Sequence, residues 1–226
     1  MFTLYFHTSP NPMKVALMLE ELGTGYEVAP VDTRRGEQHS PDYLAINPNG
    51  KTPALRDGAV TVFDSNAILL YLSEKTGRFG GPAEARSELL SWLMFVATGV
   101  GPFGGQAFHF KHVAPQNDYA TNRYVREFQR HLEVLDYRLS DREYIVGGEY
   151  TIVDMAAWGW IRLTDFVLDE GSLARFTNLQ AWFDQVEQRS AVQRAKALET
   201  QFKFKQEMDE ESLRALFPQN YAGQAA

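Results

Sequence analysis

Gly99-Val-Gly-Pro-Phe-Gly104 repeats the glycine spacing that cradles a dinucleotide pyrophosphate. It fits that chemistry poorly. The run follows a helical pattern instead of a strand, Pro102 sits inside the glycine turn, and no ribose-binding acid follows a second strand. The plainer reading is a flexible helix break near a pocket. Ala45-Ile-Asn-Pro-Asn-Gly-Lys-Thr52 misses the phosphate-loop pattern by one residue, Ala45 in place of Gly. Pro53 and then a strand follow it, so no helix N-terminus is there to hold phosphates. His109 and His112 are spaced i, i+3, but no His-Glu-x-x-His frame accompanies them and the other histidines are scattered. No metal is expected. A Gly-x-Ser-x-Gly elbow is also missing, so a hydrolase triad has no local support.

The chain contains no cysteine. A disulfide, a thiolate-ligated metal and a thiol nucleophile of its own are therefore excluded. Any sulfur chemistry must use a sulfur brought by a ligand. Of the polar residues at helix starts, Asp64 and Ser65 are good capping types.

The elements that carry these residues follow from periodicity. Phe2–Phe6 reads as a buried strand bounded by Ser-Pro-Asn-Pro. A helix opens at Asn11 or Pro12, with Val15, Met18, Leu19 and Leu22 at helical spacing, and Gly23 stops it. Tyr26–Val31 is a second strand, which makes a parallel βαβ unit with a right-handed crossover. A connecting stretch from Asp32 to Gly50 holds a short helix at Pro41–Ala45. Ala54–Arg56 and Ala59–Phe63 flank a hairpin turn centred on Asp57-Gly58, and Ser65–Lys75 is a helix ended near Gly77.

After a Gly-Gly-Pro linker near residue 80, helices dominate: Glu84–Thr98, Tyr119–Ser140, Ile152–Thr164, Leu179–Arg189 and a polar C-terminal segment. Thr151 and Asp154 form a capping-box-like start, with Tyr150 and Met155 at staple positions. The expected fold class is thus α/β plus all-α, with domains at 1–79 and 86–226, the second including a C-terminal extension.

Composition agrees with a globular chain: 226 residues, 44% hydrophobic, 23% charged, net charge −7. The acidic balance argues against nucleic acid or an anionic membrane surface as a partner. Met1–His7 shows no basic segment followed by an apolar one, and the apolar run Ala67–Leu72 is far too short to span a bilayer. A cytoplasmic protein is expected.

Taken together, the βαβ–ββα half, Asn47-Pro-Asn-Gly-Lys-Thr-Pro-Ala-Leu55, Phe63-Asp-Ser-Asn-Ala-Ile-Leu-Leu-Tyr-Leu72 and Thr151-x-x-Asp154 resemble a cytosolic glutathione transferase. The resemblance is nearest the bacterial Nu class, through Ser9-Pro-Asn11, Gly101-Pro-Phe-Gly-Gly-Gln106 and His112-Val-Ala-Pro-Gln116. It implies a thioredoxin-like N-terminal domain, a helical-bundle C-terminal domain, and glutathione as cosubstrate.

Residue roles are carried over by that resemblance. Thr52-Pro53 would be a cis-proline turn presenting the Thr52 backbone to the cysteinyl part of glutathione. Asp64 and Ser65 would hold the γ-glutamyl ammonium and carboxylate, in addition to capping a helix. Gln38 and Lys51 would reach the glycyl or peptide end; by themselves both read as solvated loop residues. Ser9, where the Nu pattern usually has Thr, and Asn11 would face the sulfur as catalytic donors near a helix N-terminus. Asn11 alone reads as a helix N-cap. Tyr5 lies too far inside its strand to be the tyrosine of a tyrosine-type enzyme.

Arg123 would reach the glutathione of the other subunit of a homodimer; on sequence alone it is a solvated helix charge. Trp92, Phe95, Phe103, Phe108 and Trp158 would wall the second-substrate pocket, although aromatics at this spacing are ordinarily core. The function implied is glutathione-dependent conjugation of an electrophile or reduction of a small disulfide. The alternative is a glutathione-binding or protein-interaction module on the same scaffold.

Overall fold

Alternation along the first strand decides which face is buried. In β1 (Phe2–Phe6), Leu4 and Phe6 are fully buried, whereas Tyr5 between them points to the opposite, less covered face. The structure, a computed structural model, describes residues 1–222. Strand β1 pairs in parallel with β2 (Tyr26–Pro30) and antiparallel with β3 (Ala54–Asp57), which pairs with β4 (Val60–Phe63). The sheet order is β2-β1-β3-β4. Its helices are α1 (Pro10–Leu22), the short α2 (Pro41–Leu44) and the start of α3 (Ser65–Thr76). Residues 12–19 of α1 are all buried, so this helix is inside on nearly every side. Gly23 ends it in the left-handed region, φ 64°, where a side chain would be strained.

The β3–β4 hairpin differs from the sequence expectation by one residue. Asp57 pairs with Val60, which leaves Gly58-Ala59 at the centre of the turn. Gly58 has φ 60° and Ala59 is not in the left-handed region, the pattern of a hairpin turn with glycine at its first central position.

The packing divides the chain into two units: Met1–Ile68 together with the segment from Arg194, and Leu69–Gln193. The sequence division at 1–79 and 86–226 is a different cut, since it follows composition. The helices of the second unit are α4 (Arg86–Phe95), α5 (Gly101–Phe108), α6 (Asp118–Arg138), α7 (Ile152–Ile161), α8 (Thr164–Val167) and α9 (Thr177–Glu187). The second half of α10 (Ser190–Ala197) and all of α11 (Glu210–Leu216) belong to the C-terminal segment.

The glycine run at 99–104 is not a break. A π-helical turn, Val96–Val100, joins α4 to α5 and a second, His109–Val113, continues α5, so one helical course runs through the segment and accommodates Pro102. A Cβ on Gly99 would stand 2.5 Å from His131 Cδ2, and one on Gly104 would stand 3.0 Å from both Phe128 and Trp160. These glycines are there for close helix packing.

A capping box starts α7. The Thr151 hydroxyl accepts from Val153 N–H, and Asp154 Oδ2 accepts from Thr151 N–H at 2.9 Å. Asp154 Oδ1 also accepts from Ile145 N–H and the Trp182 indole at 3.1 and 2.9 Å. The residue is fully buried. Burial raises its carboxyl to about 6 despite these hydrogen bonds, which pull the other way.

Candidate functional site

Four chain ends meet at one edge of the sheet because of its register. Tyr5 lies opposite Ala54, Ala54 opposite Phe63, and Phe6 opposite Pro30. The exits of β1, β2 and β4 therefore lie beside the entry to β3. In an open sheet this is where ligands bind. The exits lead to Ser9 and Asn11, to the loop holding Gln38, and to Asp64-Ser65; the entry is Thr52-Pro53.

Ser9 is the N-cap of α1, with extended backbone (φ −72°, ψ 163°), and its hydroxyl makes no capping hydrogen bond. Asn11 thus lies in the first turn and is not the cap. The first and third helical positions are prolines, so Asn11 alone of these three carries a backbone N–H. Met13 N–H bonds Ser9 O at 3.4 Å. The two prolines therefore reduce the free backbone donors at this helix start, and side chains and the helix dipole are the remaining groups there that favour an anion.

The Thr52–Pro53 peptide is cis. The carbonyl of Lys51 just before it accepts from Tyr43 Oη at 2.8 Å and Asn47 Nδ2 at 2.5 Å, which fixes the turn. The Lys51 side chain is exposed. Gly50, at φ 59°, lets this loop lie against the next: a Cβ there would come within 3.2 Å of the His39 ring.

Asp64 adopts φ 71°, and its Oδ1 accepts from the N–H groups of Asn66 and Ala67 at 2.9 and 3.1 Å. It caps α3, and the residue is exposed. Ser65 is 3% exposed. Its Oγ accepts from the ammonium of Lys14 at 3.5 Å. Lys14 was missed by sequence reasoning. The signal was present: a single lysine inside the run Met13–Leu19, otherwise apolar and wholly buried.

Gln38 is buried, not a solvated loop residue. Its Nε2 donates to the carbonyls of Thr33 and Ala215 at 3.1 and 3.0 Å, and its Oε1 is buried with no partner among the described residues. Two carbonyl acceptors fix which end of the amide is nitrogen. Ala215 belongs to α11, so the C-terminal segment reaches this loop. Asp32 Oδ2 accepts from Lys205 N–H at 2.8 Å, and Arg34 donates to the carbonyls of Lys205 and Gln206 at 2.9 and 2.6 Å. These contacts join main chain to distant side chains, and no local sequence pattern announces them.

His7, at the exit of β1, is 8% exposed, packs on Phe204 with ring centroids 4.6 Å apart, and has neither ring nitrogen hydrogen-bonded. Burial, with Arg34 nearby, lowers it to about 4, so it is neutral. Tyr5 meets Tyr43 edge-on at 5.9 Å, with the Arg56 guanidinium 5.8 Å from its ring centroid.

Arg123, in the second unit, is 59% exposed and pairs loosely with Glu127 at 3.9 Å. Of the five aromatics, Trp158 is fully buried and donates to Glu187 at 2.7 Å. Phe95 and Phe103 flank the His131 ring, and Trp92 packs on Phe95 and Arg138. Only Phe108 joins a surface stack, with His112 and the 62% exposed Phe166. Among the described residues, no group of three or more His, Asp or Glu side chains could hold a metal, and no helix is long and apolar enough to cross a membrane.

Residues 1–74 match the glutathione S-transferase N-terminal domain, and residues 118–185 match the glutathione S-transferase C-terminal domain. The chain belongs to the glutathione S-transferase family. This transferase is 38% identical to the disulfide-bond oxidoreductase YfcG of Escherichia coli, over 86% of this chain and 94% of the relative. It also superposes on a Pseudomonas fluorescens transferase family member solved with two glutathiones bound (TM-score 0.81, 36% identity, 86% and 91% of the two chains). A Pseudomonas putida transferase with one glutathione disulfide per subunit superposes equally well (TM-score 0.81, 34% identity, 86% and 90%). The family and the thioredoxin-like plus helical architecture agree with the resemblance seen in the sequence.

Proposed function

We propose that this glutathione transferase binds glutathione at the four-ended sheet edge, lowers the pKa of its thiol and directs the thiolate at disulfides. One observation carries the reading: a transferase fold with polar residues at every chain end of that edge belongs to a chain with no cysteine. The sulfur must come with the substrate, and two glutathiones or their disulfide occupy the cited relatives.

In this reading the Asn11 amide and the Ser9 hydroxyl donate to the sulfur, aided by the α1 dipole. The Thr52 backbone pairs with the cysteinyl backbone as an added strand beside Pro53. The Ser65 hydroxyl donates to the γ-glutamyl carboxylate, and Asp64 Oδ2 accepts from its ammonium. Gln38, through its unpartnered Oε1, and the exposed Lys51 ammonium meet the peptide and glycyl end.

The chemistry balances without the protein changing redox state. A glutathione thiolate attacks one sulfur of the disulfide, and the other sulfur leaves as a thiolate that takes up a proton. A second glutathione thiolate then displaces the remaining thiol. Two glutathiones become glutathione disulfide, and one disulfide becomes two thiols. The same thiolate attacking an electrophilic carbon gives conjugation, with the leaving group taking the bonding pair.

The protein acts as a homodimer, with Arg123 reaching the partner's glutathione. The weakly engaged guanidinium and the exposed apolar Val60 and Phe63 on edge strand β4 support this. The reaction draws on a pool of reduced glutathione, which suits the cytoplasm.

The test measures glutathione-dependent reduction of hydroxyethyl disulfide beside conjugation of chlorodinitrobenzene. Faster reduction is expected. The reverse ranking makes conjugation the main activity, and glutathione binding with neither activity leaves only a binding module.

A further inference from the structure

Lys14 is 1% exposed, and among the described residues its ammonium makes a single hydrogen bond, to Ser65 Oγ at 3.5 Å. It has no ion pair. An ammonium so placed is costly, because an interior position removes its hydration and one long bond to a hydroxyl returns little. Ser65 is itself buried, and the next residue, Asn66, holds a buried polar atom, Oδ1, without a partner among the described residues. The first turn of the twelve-residue α3 is immediately adjacent. We infer that Lys14 is a charged floor beneath Ser65 that binds the α-carboxylate of the γ-glutamyl group, so that ligand binding supplies the anion this ammonium lacks.

This inference rests on glutathione being the ligand at that edge. It gives the γ-glutamyl end of the site a cation in addition to the dipole of the helix N-terminus, and it accounts for a lysine inside an apolar helix. It also couples binding to protons. Burial lowers Lys14 to about 7, opposed only by the charge of Asp64, so near neutral pH much of it is uncharged before the ligand arrives. A bound carboxylate favours the charged form. Binding above pH 7 therefore takes up a proton.

The experiment is calorimetry at pH 8 in two buffers of different ionisation enthalpy. S-methylglutathione is used, because it has no thiol to titrate. Wild type is expected to take up a measurable fraction of a proton per ligand bound, the change from partly neutral to mostly charged. Lys14→Arg stays charged throughout and should bind with markedly less uptake. Lys14→Met should bind at least tenfold more weakly. That penalty should vanish with 4-aminobutanoyl-S-methylcysteinylglycine, which lacks only the α-carboxylate.

Wild type that binds without greater proton uptake than Lys14→Arg overturns the inference. So does Lys14→Met binding within twofold of wild type, or losing both ligands equally. Should Lys14→Met fail to fold, the proton comparison with Lys14→Arg decides. Wild type that binds neither glutathione nor S-methylglutathione overturns the glutathione reading itself, and the two failures are therefore separable.

Discussion

In the proposed function the residues at the sheet edge carry different roles. Ser65 is buried at the start of α3, and in the proposed function its hydroxyl meets a carboxylate. Charge-assisted bonds of this kind contribute ~1.5–3 kcal/mol, so Ser65→Ala should weaken glutathione about tenfold or more by calorimetry. Unchanged affinity would remove Ser65 from the site. Asn11 is assigned to the sulfur. Asn11→Ala should cut turnover ~10–100-fold at neutral pH if the lost bond contributes about 1.4–2.8 kcal/mol, and should move the pH–rate profile to higher pH. Tyr5→Phe should change little, because the Tyr5 ring is engaged edge-on with Tyr43 and lies on the face of β1 away from Leu4 and Phe6. If Tyr5→Phe shifts the profile and Asn11→Ala does not, the sulfur partner is the tyrosine. Most of these candidates were legible because each lies at a strand exit or a helix start, positions that turn and cap chemistry mark in a sequence. Lys14 was not, since a lysine in a helix is ordinarily solvated and only the all-round burial of α1 makes it exceptional.

At the scale of elements, periodicity and caps located strands and helices closely, and the errors have physical causes. The hairpin turn was read one residue early because Asp-Gly is a strong turn pair, yet the register puts Gly58 first at the centre. The 99–104 glycines were read as a break because glycine normally weakens helices; contacts with His131, Phe128 and Trp160 override propensity. Asp154 ties the start of α7 to Ile145 and Trp182. Asp154→Ala removes the cap and leaves two buried donors unmet, at a cost of about 3–5 kcal/mol in denaturant unfolding. A loss under about 1 kcal/mol would show that the box is ornamental. The exit of β1 makes a pH prediction. His7 is neutral in the fold, lowered to about 4 from 6.5. The unfolded chain binds its proton first as pH falls, so stability is full above about 6.5 and declines between 6.5 and 4, by about 3 kcal/mol in all. His7→Phe should flatten that slope, and an unaltered slope would assign the acid sensitivity elsewhere.

For the molecule as a whole, the two-part architecture could be read from the change in pattern near residue 80. The docking of the C-terminal segment on Asp32, Arg34 and Gln38 could not, because it uses carbonyls and amides that every residue carries. Assembly gives its own test. Sedimentation should find a dimer, and Arg123→Ala should weaken glutathione binding without dissociating it. A fully active monomer would contradict both parts, and a dimer indifferent to Arg123→Ala would contradict only the cross-subunit role. The central claim is that a chain without cysteine activates a thiol that it borrows. The direct measurement is the ultraviolet thiolate absorbance of bound glutathione titrated against pH, free of any signal from protein thiols. The account predicts a bound thiol titrating one or more units below the ordinary value of ~8.5, and a return toward that value in Asn11→Ala. A bound thiol that titrates at ~8.5 in the wild-type protein would contradict it.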